Sequence, residues 1–347
     1  MRDDPAPAEQ QTGPEGLVVL AADRLEAQIA PLGARVHRLR ARRRRDDAWR
    51  DLVLHLPDDA AYLAHDGYLG ATVGRVANRI ARGHLPIGTQ EHRLATNDRG
   101  ATLHGGPDGF DRRRWSVGER TPGSVELHLI SPDGDQGFPG EVRVTARFEV
   151  RDDALHTTYT GVTDAPTALG LSSHAYYRLG GADVTDHVLQ VPAAHYHPVD
   201  HRGVPTGETA PVEATPFDLR GGVPIGAVVE ALGGLDHDLV PDGVGLREVA
   251  RLSAHGWRIV VSSDQPGLQV YTASGFDGRP HPPYAGVALE PQLPPDAVHH
   301  PAWPSPVLQP GETYRWRSVV RVEASGAVLG QHQGEVVADA AGTVTPQ

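Results

Sequence analysis

Forty glycines and thirty prolines are spread along the 347 residues of this chain, a density of breakers that leaves little room for long helices. Short apolar or alternating runs lie between them. The segments 17–20, 25–29, 155–160, 187–191, 257–261 and 314–320 read as strands, and 142–150 alternates most cleanly. Turn signals such as Asp133-Gly134-Asp135, Gly180-Gly181, Asp242-Gly243 and Asp277-Gly278 separate these runs. Helical periodicity is confined to two short stretches, 58–64 and 225–232. Many short strands without crossover helices predict an all-β fold, a large antiparallel β-sandwich. Length alone suggests about two domains, yet no composition break falls between Leu17 and Glu323. A single domain over 17–323 is therefore expected, flanked by a disordered segment at 1–16 and a loosely ordered tail at 324–347.

Composition removes whole reaction classes. Without lysine there is no Schiff base and no P-loop lysine. Without cysteine there is no thiol nucleophile, thiolate zinc site or disulfide. The formal charge of −12 argues against a nucleic-acid surface, and the one basic run, Arg40 to Arg45, ends at Asp46-Asp47 like a solvated hairpin tip. The first sixteen residues carry no basic start or apolar stretch of a signal peptide. No run approaches the roughly 20 apolar residues of a membrane helix. A soluble, cytoplasmic monomer or homodimer is expected, with neither nucleic acid nor membrane as partner.

Three residues stand in settings that local structure does not require: His104 before Gly105-Gly106, His174 after Ser172-Ser173, and Glu290 between Leu289 and Pro291. His104 could simply cap its glycine turn, and His174 could be a buried histidine bonded to backbone. Glu290 could be a surface carboxylate, but it ends the apolar run Val287-Ala288-Leu289. Pro291 also pushes its backbone towards an extended conformation. A carboxylate and imidazoles drawn from distant segments suit proton transfer near neutral pH. His195 and His197, two apart, could instead join Glu290 in a metal site, and Asp236-His237-Asp238 could form a cation loop. Such spacings arise by chance among nineteen histidines, and neither metal nor cofactor is expected.

Several segments, in order, resemble the aldose 1-epimerase (galactose mutarotase) family. They are Gly74-Arg75-Val76-Ala77-Asn78-Arg79, Thr102-Leu103-His104-Gly105-Gly106, Asp135-Gln136-Gly137-Phe138-Pro139-Gly140, His195-Tyr196-His197-Pro198-Val199-Asp200, Pro266-Gly267-Leu268-Gln269-Val270-Tyr271 and Leu289-Glu290-Pro291-Gln292. The resemblance covers 17–323. It implies a β-sandwich whose concave face binds a free hexose without a cofactor. It also implies that Glu290 is the base and His174 the acid, and that Asn78, Arg79, His104, Asp236 and Gln269 hold the sugar hydroxyls. Base and acid would then flank opposite edges of one pyranose, opening its ring and reclosing it as the other anomer. The chain departs from the family pattern at Ser173, Tyr177, Arg178 and His299, none of them a proton-transfer group. Two alternatives stay open: a hexose-phosphate epimerase of the same fold, which would need arginines such as Arg178 or Arg279 near the pocket, and a sugar-binding or sensor protein without turnover.

Overall fold

The computed structural model describes residues 14–324. The expected segment at 1–16 and tail at 324–347 lie almost wholly outside those residues. At the boundary, Ala324 is the last residue of a strand. A nine-stranded sheet dominates the molecule, in the order Ser116–Thr121, Ser124–Ser131, Val142–Arg151, Ala154–Thr163, Tyr314–Ala324, Trp257–Ser263, Arg247–Ala254, Val188–Gln190 and Val223–Pro224. A six-stranded sheet runs Tyr176–Tyr177, Val287–Gln292, Gly267–Tyr271, Asp236–Pro241, Ala193–His197 and Ala210–Pro211. A third, four-stranded sheet is built from the N-terminal segment 18–51. Every strand pair in these three sheets is antiparallel. The fold is thus the large antiparallel β-sandwich expected from the sequence.

Alternation explains the layering. Along Val142–Arg151 the residues Val142, Val144, Ala146, Phe148 and Val150 are buried, while their neighbours face outward. Leu239, Leu268, Val270 and Leu289 of the six-stranded sheet enter the same core. The opposite face of that sheet presents Asp236, Asp238, Gln269, Tyr271 and Glu290, so one period-2 pattern separates core from chemistry. Among the described residues two short α-helices, Asp59–Leu63 and Ile225–Leu232, lie where periodicity placed them. The Asp58 side chain caps the first by accepting the Ala61 N–H at 2.8 Å. Neither is long or apolar enough to cross a membrane.

An aromatic pair ties the core to the strands beside the concave face. The rings of Tyr159 and Trp316 stack with centroids 4.6 Å apart. Trp316 Nε1 donates to the Pro291 carbonyl at 2.7 Å, which also accepts from Ser172 Oγ at 2.9 Å. The hydroxyls of Tyr159 and Thr72 lie 2.9 Å apart, and Thr72 pairs with Ser173. Glu290 and His174 are each one residue from this bracing. Trp316→Ala should therefore cost about 3–5 kcal/mol of stability, read as a lower urea midpoint; an unchanged midpoint would show that the pair braces nothing.

Candidate active site

Glu290 comes to the concave face by register. It sits directly opposite Gln269, which in turn sits opposite Asp238, so three neighbouring strands present one polar row. His174 arrives from a separate segment whose backbone is clamped by two bonds, His174 N–H to Ala71 O at 2.8 Å and Gly70 N–H to His174 O at 2.9 Å. His174 Nε2 and Glu290 Oε1 then lie 3.5 Å apart, with side chains only 5% and 2% exposed. The two groups are adjacent, not on opposite edges of a ring as expected. At that spacing the two groups can act on neighbouring atoms of one ligand.

Asn78, Arg79, His104 and Asp236 converge on the same hollow. All seven residues singled out in the sequence line one open cavity of about 440 Å³. His104 and Asn78 hold each other: His104 N–H donates to Asn78 O at 3.0 Å, and Asn78 N–H donates to His104 Nδ1 at 3.1 Å. Since Nδ1 accepts, the proton of His104 sits on Nε2, which makes the ring a neutral donor. Burial, reinforced by His174 and Arg79, keeps it neutral by pulling its pKa well below the usual histidine range. Arg79 is steered by Asp98 (Nε to Oδ2, 2.7 Å), by the Gly203 carbonyl (Nη1, 3.4 Å) and by Asp236 (Nη1 to Oδ2, 3.7 Å). Gln269 Nε2 donates to Asp236 Oδ1 at 2.6 Å.

The electrostatics of the floor follow from its dryness. Burial pushes the Glu290 carboxyl well above the usual range; Asp236 adds to this and Arg79 opposes it. Burial lowers the His174 imidazole to about 4. Desolvation therefore favours the neutral form of the pair, one proton shared between a carboxyl and an imidazole. Glu290 Oε2 and His174 Nδ1 are buried without a partner, so both retain capacity for a ligand.

Tyr68 and Tyr176 wall the floor, their ring centroids 5.8 and 5.0 Å from that of His174. The sequence reading missed Tyr68 as a lining residue, and Asp98 as the partner that aims Arg79. Tyr68, Asn78 and His104 all have φ between 52° and 62°, a region uncommon outside glycine and one that clusters at functional sites. Nothing in a single sequence marks such residues.

The metal readings fare less well. His104, His174 and Glu290 bring potential ligand atoms within 4.8 Å of one another, but a metal on His104 would have to displace its Nε2 proton or break its bond to Asn78. His197 is buried and bonded through Nδ1 to Asp238 Oδ2 at 2.7 Å, whereas His195 is exposed, so the two do not join Glu290. Residues 236–238 begin a strand and form no cation loop.

Known proteins resemble the chain in both sequence and fold. Residues 16–321 match the family model described as aldose 1-epimerase. The chain is 36% identical to the galactose mutarotase of Homo sapiens over 310 residues, covering 85% of this chain and 90% of that protein. It is 34% identical to the aldose 1-epimerase of Escherichia coli (strain K12) over 292 residues, covering 78% and 84%. A solved GalM/aldose epimerase homologue from C. elegans superposes with a TM-score of 0.84 at 27% identity, over 89% of this chain and 99% of that one. Matched in sequence along most of its length and in fold by solved relatives, the chain belongs to the aldose 1-epimerase family.

Proposed function

We propose that this isomerase interconverts the α and β anomers of free hexoses such as galactose and glucose, with Glu290 as base and His174 as acid. The observation that carries the assignment is the 3.5 Å approach of Glu290 and His174 on a buried floor ringed by the polar side chains of Asn78, Arg79, His104, Asp236 and Gln269. Moving the shared proton from Glu290 to His174 creates a carboxylate and an imidazolium. The carboxylate takes the anomeric hydroxyl proton while the imidazolium protonates the ring oxygen, and the ring opens. That transfer returns the pair to its neutral form, the form burial favours, so no buried charge persists once the ring is open. Rotation about the bond next to the aldehyde and reversal of both transfers close the other anomer. Arg79 favours the ionised carboxylate, and His104 donates a neutral N–H to a hydroxyl. The steps need no cofactor, and a chain without disulfides is compatible with a reducing cytoplasm.

The hexose-phosphate alternative is disfavoured by charge at the rim. Arg99 and Arg279 line the cavity, but each lies beside an acid, Asp98 at 3.6 Å and Asp277 at 3.7 Å, and Asp66 lines it too. Arg178 does not line it. The test is the optical rotation of freshly dissolved α-galactose and α-glucose, with and without protein and chelator. Acceleration unaffected by chelator is expected. Binding without acceleration of any aldose would favour the sensor reading.

A further inference from the structure

Behind the sugar-facing groups lies a buried pair that the proposed reaction does not use, His197 and Asp238. Both are almost fully buried, and they are bonded Nδ1 to Oδ2 at 2.7 Å. Asp238 stands directly across the strand pair from Gln269, where opposite side chains meet. The two facing residues each carry a buried oxygen without a partner, Asp238 Oδ1 and Gln269 Oε1. On its other side the Gln269 amide donates Nε2 to Asp236 Oδ1 at 2.6 Å, and Asp236 reaches Arg79 at 3.7 Å.

An amide between two carboxyl groups has one donor end and one acceptor end. If both neighbours were ionised, its oxygen would have to face one of the carboxylates. Asp236 beside Arg79 takes the donor end, so the acceptor end is left towards Asp238. We propose that Asp238 is a positioning residue that carries a proton on Oδ1, donates it to Gln269 Oε1, and so locks the Gln269 amide with its N–H group towards Asp236 and the sugar. His197 completes the arrangement by donating Nδ1–H to the other oxygen.

The surroundings favour a proton over a water in this link. A Cβ on Gly267 would come within 2.6 Å of Asp238 Oδ1 and 3.0 Å of Oδ2, so the carboxyl is packed against that backbone. Burial also pushes the Asp238 carboxyl upward, with His197 opposing. An ionised carboxylate facing an amide oxygen in a dry site would be repelled rather than paired.

This inference rests on the epimerase reading, and its test separates the two. Galactose mutarotation by wild type, Asp238→Ala, Asp238→Ser and Asp238→Asn is followed for KM and kcat, with melting temperatures as a folding control. Removing the donor in Asp238→Ala should raise KM at least about tenfold and change kcat less than about threefold, because Gln269 binds sugar and transfers no proton. Asp238→Asn restores an N–H donor towards Gln269 and should return KM to within about threefold of wild type. Asp238→Ser, whose hydroxyl is one bond shorter than the carboxyl and so falls short of Gln269, should behave like alanine and serves if the alanine variant fails to fold. An asparagine variant as impaired as alanine, or folded alanine and serine variants with wild-type KM, would overturn the proposal. Inactive wild type would instead refute the epimerase reading itself.

Discussion

Glu290→Gln should lower kcat for anomer interconversion by at least about 10²-fold while the protein stays folded. The substitution keeps size and shape on a strand whose six residues, Val287–Gln292, are all buried. What it removes is the ability to take a proton. The glutamine amide can still accept a hydrogen bond from the anomeric hydroxyl, so KM should move much less than kcat. Stability should hold or rise slightly, since a buried ionisable group becomes a neutral one. Stopped-flow polarimetry with a urea midpoint measures both quantities. A folded variant with near-native kcat would mean that Glu290 is not the base.

His174→Asn should cost kcat a similar factor, again at least about 10²-fold. The backbone bonds of residue 174 to Ala71 and Gly70 do not involve the ring, so the segment should keep its course. Asparagine can donate to the ring oxygen but cannot surrender a proton to it. Wild-type kcat should also fall as pH drops through about 4. There the lowered His174 imidazole takes up a proton while burial holds the raised Glu290 carboxyl protonated, and no base remains. Above that limb, kcat should stay level for as long as the pair retains its single proton. The limb belongs to the pair as a whole. Retention of native kcat by the variant, or a wild-type decline already complete by pH 6, would break the assignment.

Much of this was legible in the chain because it is local. The alternation of Val142–Val150 and the two short helical stretches correspond to observed elements. Turn residues such as Asp242-Gly243 fall between strands, Asp236–Pro241 and Arg247–Ala254. The candidate site residues were legible only through ordered motifs, since no local rule separates His104 or His174 from the other histidines. What stayed hidden was set by long-range register. That Glu290, Gln269 and Asp238 face one another depends on which strands pair, and His197 joins the row across a fourth strand. Residues 195 and 197 of one strand are spaced as a ligand pair could be, a spacing that also arises by chance among nineteen histidines. Pairing between strands makes one of them the partner of an aspartate instead. Tyr68 and Asp98 were invisible for a related reason, since the one reaches the cavity and the other reaches Arg79 from segments whose course the rest of the fold dictates.

The floor and the doorway of the cavity are built differently. Glu290 lies on a braced strand beside a carbonyl held by Ser172 and Trp316, whereas Asp277 and Arg279 sit outside the strands, with side chains 64% and 89% exposed. Substitutions at the doorway should therefore be tolerated readily and alter which sugars enter, while those at the floor abolish turnover. Selection, natural or in the laboratory, can retune preference here without disturbing the reaction.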